Sequence, residues 1–544
     1  MENNPSEGQF PASSQVVVVG AGMAGLTAAV RLAEAGARVV VVEAGEVAGG
    51  RLATLDSVEV RWRGTTMQFP IEHGLHGVWR QYRNLRRLLA DHGLERGLVD
   101  AGTQELIVDS PAGVATVDIG ASVRGSRLPA PLAQFRPWFS APFARHTLKA
   151  GPVAFARMIG CLSHALAFDL ASPDDLAAYD RASVEALIAD WPPSFRQLFE
   201  TFSHSIYFEE TRSISLAALF TGIQLYLVND RRDSHFNVFA ADSEQCVIAP
   251  LVAAIRRRGG QVLLGTRATG LQIAGGRATG VTLETARGAE TLPAGAVVVA
   301  LDPSGQERFL AGTPLAAAED GAAPAGLPSV VVRLWLAGAP RPERAPSGLL
   351  VDSLARNFFW LHRLQEPFGS WHARTGGGVL EAHLYGDLAV RVQDVEDSAV
   401  AQRIAAMVRR LWPEVPDELV HAHVQRNPPT QVALRVGQMA RLPGVTTALA
   451  NVARCGDGIA CGSPAMFLER ACLTGVLAAR AVAPSLGLAA SRIAAPLGPL
   501  PPERTVAVAR AACRIVRGLL PLKLDRGGAG VADEERLAAA GRRR

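Results

Sequence analysis

The chain has 544 residues, 48% hydrophobic and 19% charged, a composition that folds but is too long for one compact core. Its 55 basic and 51 acidic residues leave a net charge of +4, which gives no basis for nucleic acid as a partner. The six cysteines form no CxxC pair, so neither a zinc site nor a redox dithiol is signalled, and no metal site is expected.

The opening "MENNPSEGQFPASS" is polar and carries no apolar run. It does not read as a secretory leader, so a cytoplasmic location is expected, with residues 1–13 disordered. No eighteen-residue apolar stretch occurs, so no spanning helix is expected.

Residues 14–45, "SQVVVVGAGMAGLTAAVRLAEAGARVVVVEAG", read as strand, glycine turn, helix, strand. The valine run suits a strand buried on both faces. Leu26, Val30 and Ala33 recur at helical spacing, and Gly36 stands near the helix end. Together these pieces make one βαβ unit. Gly20, Gly22 and Gly25 form Gly-x-Gly-x-x-Gly between strand and helix. The first permits the tight turn, the second lets backbone approach a pyrophosphate, and the third brings helix and strand close. The phosphate then faces the first helical residues, Met23 and Ala24 among them, where free N–H groups favour negative charge. Glu43, followed by Ala44, ends the second strand. Its carboxylate can accept from ribose hydroxyls and would repel a 2′-phosphate, which argues against NADP. Gly49, Gly50 and Arg51 follow: two glycines for close backbone approach and a guanidinium for phosphate.

Residues 71–89, "IEHGLHGVWRQYRNLRRLL", pack two histidines, a tryptophan, a tyrosine and four arginines into nineteen positions. Leu85, Leu88 and Leu89 read as core, and Arg80, Arg83, Arg86 and Arg87 as a solvated helix face. Residues 151–170 are greasy enough for a buried helix. Residues 246–303 read as helix, strand, hairpin strands and the buried strand "AVVVAL". Residues 448–483 carry a further glycine turn and helix, with Ser463 as N-cap and Pro464 as first helical residue. In 503–523, Arg510, Arg514 and Arg517 share one helical face, and Val508, Ala512, Ile515 and Leu519 another. That amphipathic pattern suits a peripheral seat on anionic lipid.

The glycine turn, "GGR" and "CGDGIACGSPAMFLERACLTG" together resemble the FAD-dependent amine oxidase and phytoene desaturase superfamily. The resemblance implies FAD as cofactor. It implies an α/β fold: a Rossmann-type, amine-oxidase-like FAD-binding domain with an interleaved α+β substrate-binding domain. The FAD domain is expected from 14–105, 241–305 and 436–490, and the substrate domain from 106–240 and 306–435. Residues 491–544 are left for the amphipathic helix and a disordered tail. "GGQVLLGTRATGL" is similar to the strand whose backbone holds adenine, which points to Ala268. Gly456 and Asp457 match the acidic motif on the ribityl and phosphate side. Pro464, Ala465 and Met466 lead into the helix facing the flavin N1–C2=O edge; Leu468 departs from the family's usual methionine.

The 71–89 stretch is similar to the carotenoid desaturase branch, most of all to isorenieratene-synthase-type carotene ring desaturase/methyltransferases. That likeness implies a carotenoid or related isoprenoid substrate, with end-ring aromatisation and methyl migration. Trp79 and Tyr82 would stabilise a polyene cation and His76 would take the ring proton. The sequence does not name the terminal electron acceptor: a quinone suits a membrane-bound desaturase, and oxygen stays open beside it. Rival readings are a phytoene- or squalene-type desaturase, a carotenoid isomerase, an amine oxidase and a non-catalytic flavin or carotenoid carrier. The amine reading suffers from the scarcity of lysine, Lys149 and Lys523 alone, and from the lack of an aromatic residue between Arg435 and Pro464.

Overall fold

The computed structural model describes residues 15–110, 113–128, 130–133, 136, 151–316, 323–519 and 522. Both lysines, residues 1–13 and nearly all of the C-terminal tail lie outside that set.

A five-stranded parallel sheet carries the glycine turn. Its first strand, Gln15–Val19, lies between Arg38–Val42 and Ala296–Val299. Gln261–Leu263 and Val452–Arg454 form the edges. Strands from three remote segments thus meet in one sheet, and all four valines of the first are buried. Helix Met23–Ala35 packs on one face beside helix Phe467–Val482. It ends at Gly36, whose φ of 98° is left-handed.

A second sheet of seven strands uses Gln104–Ser110, Gly113–Asp118 and strands between Ser329 and Asn427. Next to one edge Ser329–Leu336 pairs antiparallel with Gly378–Leu384 on one side and with the edge strand Leu419–Asn427 on the other. One face of this sheet backs onto helix Asp397–Leu411, with Trp360 and Trp412 fully buried between them. A cavity of about 430 Å³ lies beside that helix, remote from the chemistry below.

Three expectations change. The greasy segment forms helix Gly151–Ala167, but only its C-terminal half is buried, and Val153 is 66% exposed. The four arginines do not make one solvated face. Arg80 pairs with Asp230, Arg83 donates to the Gly498 carbonyl and Arg86 to Asn237, so only Arg87 is exposed. The third change concerns the C-terminal helix, Arg504–Val516, where Arg510 and the following Arg517 turn toward the protein while Arg514 stays exposed. Arg510 donates to Asn229 at 2.6 Å and Arg517 to Asp175 at 2.9 Å. Those partners are what orient the helix, and Val508, Ile515 and Leu519 are left 72%, 73% and 77% exposed. Among the described residues no helix is long and apolar enough to cross a membrane.

Candidate active site

The phosphate-binding turn fits a dinucleotide. Gly20 adopts φ 103°, and a Cβ there would stand 2.6 Å from the Ala300 carbonyl oxygen. A Cβ on Gly25 would stand 2.0 Å from the Gly20 carbonyl oxygen, so helix and strand touch there. Gly22 differs: nothing lies within 4 Å of its Cβ position, and no side chain caps the helix it opens. The helix N-terminus is thus left without a side-chain cap beside open space at Gly22, as a pyrophosphate requires. Gly49 donates to the Ala21 carbonyl, which lays the second glycine pair against the first turn.

Glu43 accepts from Ala21 and Gly45 backbone N–H groups, each at 2.8 Å. Its carboxylate is fixed at the strand end with lone pairs left for ribose hydroxyls. Ala44 beside it is exposed. Residues 263–266 hydrogen-bond to the backbone of Glu43 and Gly45, which brings the start of strand Arg267–Ala274, with Ala268, to the same end of the sheet.

Arg51 and Asp457 meet across 406 residues in a two-pronged ion pair, Nη1 to Oδ2 at 2.9 Å and Nη2 to Oδ1 at 2.8 Å. Asp457 is buried and Arg51 is partly open. Gly456 donates to Thr474 Oγ1 at 2.9 Å, tying this turn to helix Phe467–Val482.

That helix does not begin where the Ser463–Pro464 pattern predicts. Met466 is its N-cap and Phe467, with φ 48°, its first residue. The cause is Arg470, which sequence reasoning passed over inside its own motif. Its Nε donates to the Ala465 carbonyl at 2.8 Å and its Nη1 to the Asp457 carbonyl at 3.1 Å. The guanidinium holds Pro464, Ala465 and Met466 across the helix end rather than in line with it. No side chain caps the helix, so its N-terminal N–H groups and dipole are left for a negatively polarised group. Glu469 was also missed. It accepts from the backbone N–H groups of Asn84 and Leu85 and pins helix Arg83–Asp91 to this element.

Trp79 and Tyr82 come together, in a cluster larger than the sequence suggested. Trp79 lies 5.4 Å from Tyr82, 5.0 Å from Tyr226 and 5.1 Å from Phe236, centroid to centroid. The Tyr82 and Tyr226 hydroxyls share a hydrogen bond of 2.6 Å. A π-helical turn, Gln224–Val228, places Tyr226 there. Burial raises both phenols above their ordinary range, so both stay neutral.

His76 stands apart from this cluster. Its Nδ1 is buried without a partner, and so is that of His73. Burial, with His73 and Arg51 close by, pushes His76 down to about 3. The imidazole is neutral, as a base must be, but it is a weak one.

The loop that bears His76 is clamped from the second sheet. Arg333 donates to the Glu72 carbonyl, Asn427 to the His73 carbonyl, and the Leu75 N–H to Glu381, at 2.9, 2.7 and 2.6 Å. Among the described residues no cluster of three or more His, Cys, Asp or Glu stands where it could hold a metal ion.

Residues 23–483 match the family of flavin containing amine oxidoreductases. The chain is 28% identical over 479 residues to a carotenoid phi-ring synthase of Streptomyces griseus, covering 86% of this chain and 87% of that one. It is 25% identical over 321 residues to a probable zeta-carotene desaturase of Synechococcus elongatus, covering 54% and 60% of the two chains. Cyclohexylamine oxidase from Brevibacterium oxydans shares the fold, with a TM-score of 0.62 at 18% identity over 87% of this chain and 99% of that one.

Proposed function

The chain belongs to the family of flavin containing amine oxidoreductases and is an FAD-dependent oxidoreductase, and on that premise we propose that it dehydrogenates a carotenoid end ring to an aromatic ring, with migration of a methyl group. The observation that carries this reading is the match, over most of both chains, to a phi-ring synthase. The site supports it independently. The residues fit FAD: open space over Gly22, fixed Glu43, Arg51 facing Asp457, and an uncapped helix at Phe467. When bound, FAD supplies the hydride acceptor. The protein's part is to bind a hydrocarbon, exclude water and manage charge. The faces of Trp79, Tyr226 and Phe236 suit a polyene cation and offer it no nucleophile.

Expression in a host that accumulates β-carotene, beside one that accumulates lycopene, tests the reading. The expected result is a new pigment in the first host, lighter by hydrogen loss and carrying an aromatic end ring. A new product only in the lycopene host would move the assignment to an acyclic desaturase or isomerase. Unchanged pigments from FAD-loaded protein would sink the carotenoid reading and return the amine substrates to view.

A carotenoid is dissolved in a bilayer, so the enzyme must reach one, and a membrane quinone is the acceptor at hand there. The exposed row Val508, Ile515 and Leu519, on the helix that packs against Gly151–Ala167, is the face we assign to the lipid surface. Each of these side chains contributes roughly 1.5–3 kcal/mol when buried. Changing Val508, Ile515 and Leu519 together to Asp should leave the fold intact and lower partition onto anionic vesicles by about 10²-fold or more. Unchanged co-sedimentation would remove this face from membrane attachment.

A further inference from the structure

Strand Gly378–Leu384 and the residue after it present Glu381, His383 and Tyr385 at alternate positions, on one face of the second sheet. The three are buried and linked in series. The Tyr385 hydroxyl lies 2.6 Å from His383 Nδ1, and His383 Nε2 lies 2.6 Å from Glu381 Oε1. Arg333 Nε donates to Glu381 Oε2 at 2.6 Å. Burial alone would push the Glu381 carboxyl up, but Arg333 and His383 beside it outweigh that and hold it down at about 2. The carboxylate is therefore charged, and it fixes the tautomer: His383 carries its proton on Nε2 and accepts from Tyr385 on Nδ1.

The chain lies against the candidate site at both ends. Glu381 also accepts from the N–H of Leu75, the residue before His76. The Tyr385 ring stacks edge-on with Phe208 at 4.2 Å, and Phe208 lies 6.0 Å from Phe467 at the head of the flavin-edge helix. A base oriented by a second group and charged at its far end is the arrangement that proton abstraction needs. His76, with an unpartnered Nδ1, lacks it.

We propose that Tyr385 is the catalytic group that receives the substrate's proton, with His383 and Glu381 as positioning residues behind it. The inference rests on the dehydrogenation proposed above. After hydride loss the substrate is a cation. One C–H bond next to the cationic carbon breaks, and its electron pair becomes the new ring double bond. The proton passes to Tyr385 Oη as the phenol's own proton moves to His383 Nδ1. The imidazolium so formed lies against the Glu381 carboxylate, and the product leaves neutral.

Tyr385→Phe removes one oxygen and leaves Glu381 and Arg333 paired, so the fold should survive. FAD-loaded, full-length wild type, Tyr385→Phe and His76→Ala would be assayed with β-carotene in vesicles. Flavin absorbance and thermal melting would be recorded for each. The expected result is that Tyr385→Phe keeps its flavin and melting temperature while turnover falls by about 10²- to 10⁴-fold. Single-turnover traces should show hydride loss outrunning product release, a split that a purely structural residue would not cause. Turnover of Tyr385→Phe equal to wild type, or abolished in His76→Ala alone, would overturn the relay. Loss of flavin together with turnover in Tyr385→Phe would assign Tyr385 to folding and also overturn it. Wild-type protein inert toward the carotenoid would overturn the substrate reading instead. The relay then still meets a test without substrate: a far-downfield imidazole N–H proton resonance in wild type, lost in His383→Gln, is expected, and its absence from wild type would show the chain is not assembled.

Discussion

Gly25→Ala should give protein with no bound flavin and no cooperative melt, while Gly22→Ala should fold as well as wild type and bind FAD poorly. The two glycines lie three positions apart in one turn, and their surroundings differ. A Cβ at Gly25 would meet the Gly20 carbonyl oxygen at 2.0 Å, against backbone at the C-terminal end of the sheet's central strand. Overpacking typically costs about 1–3 kcal/mol, and a clash with no flexible side chain to yield belongs above ~3 kcal/mol. Gly22 has φ −73° and ψ 176°, a conformation any residue adopts, with nothing within 4 Å of the added carbon. Its alanine should even stabilise the apoprotein by up to about 1 kcal/mol through the unfolded chain. What that methyl takes is the space in front of the helix N-terminus, where the pyrophosphate must come closest. Thermal melts with and without added FAD, with flavin absorbance after gel filtration, separate the two effects. Gly22→Ala binding FAD as tightly as wild type would show that the pyrophosphate does not lie over Gly22.

The βαβ unit was readable because its signals are local. A valine run, a glycine spacing and a helical period fall within some thirty residues, and the structure places them as the pattern demands. The ladder of the second sheet was not readable in this way. Glu381, His383 and Tyr385 alternate along a strand, which is a visible signal. Its meaning depends on Arg333, 48 residues earlier, and on Leu75, 306 residues earlier. Tyr226 reaches Tyr82 across 144 residues by way of a π-helical turn that no periodicity announces. The C-terminal helix carried its amphipathic pattern in the sequence, but the partners of that pattern were not legible there. Sequence alone does not say that Asn229 and Asp175 wait for its arginines. Local capping rules likewise placed the start of helix Phe467–Val482 at Ser463 and Pro464. A side chain further along that helix overrules them.

That side chain, Arg470, is the position where a single change should cost FAD most without unfolding the protein. Asp457 and the segment 464–466 are separate pieces of backbone, and both must be held if the acid and the helix end are to face one ligand. The buried guanidinium bonds to a carbonyl of each, at Asp457 and Ala465. Each such charge-assisted bond contributes about 1.5–3 kcal/mol. Arg470→Met fills the same channel with an apolar stem and leaves two carbonyls without their donor. With both contacts gone, the Asp457 turn and the Phe467 helix head lose their fixed spacing, and a left-handed Phe467 has nothing to enforce it. The expected dissociation constant for FAD rises by about 10²-fold or more, equivalent to ~3 kcal/mol. Arg470→Lys should recover little of this, because one ammonium cannot reproduce a planar fork aimed at two carbonyls. Titration of apoprotein with FAD, followed by flavin fluorescence, measures it. Wild-type affinity in Arg470→Met would mean that the helix head is set by its packing alone, with the guanidinium a passenger.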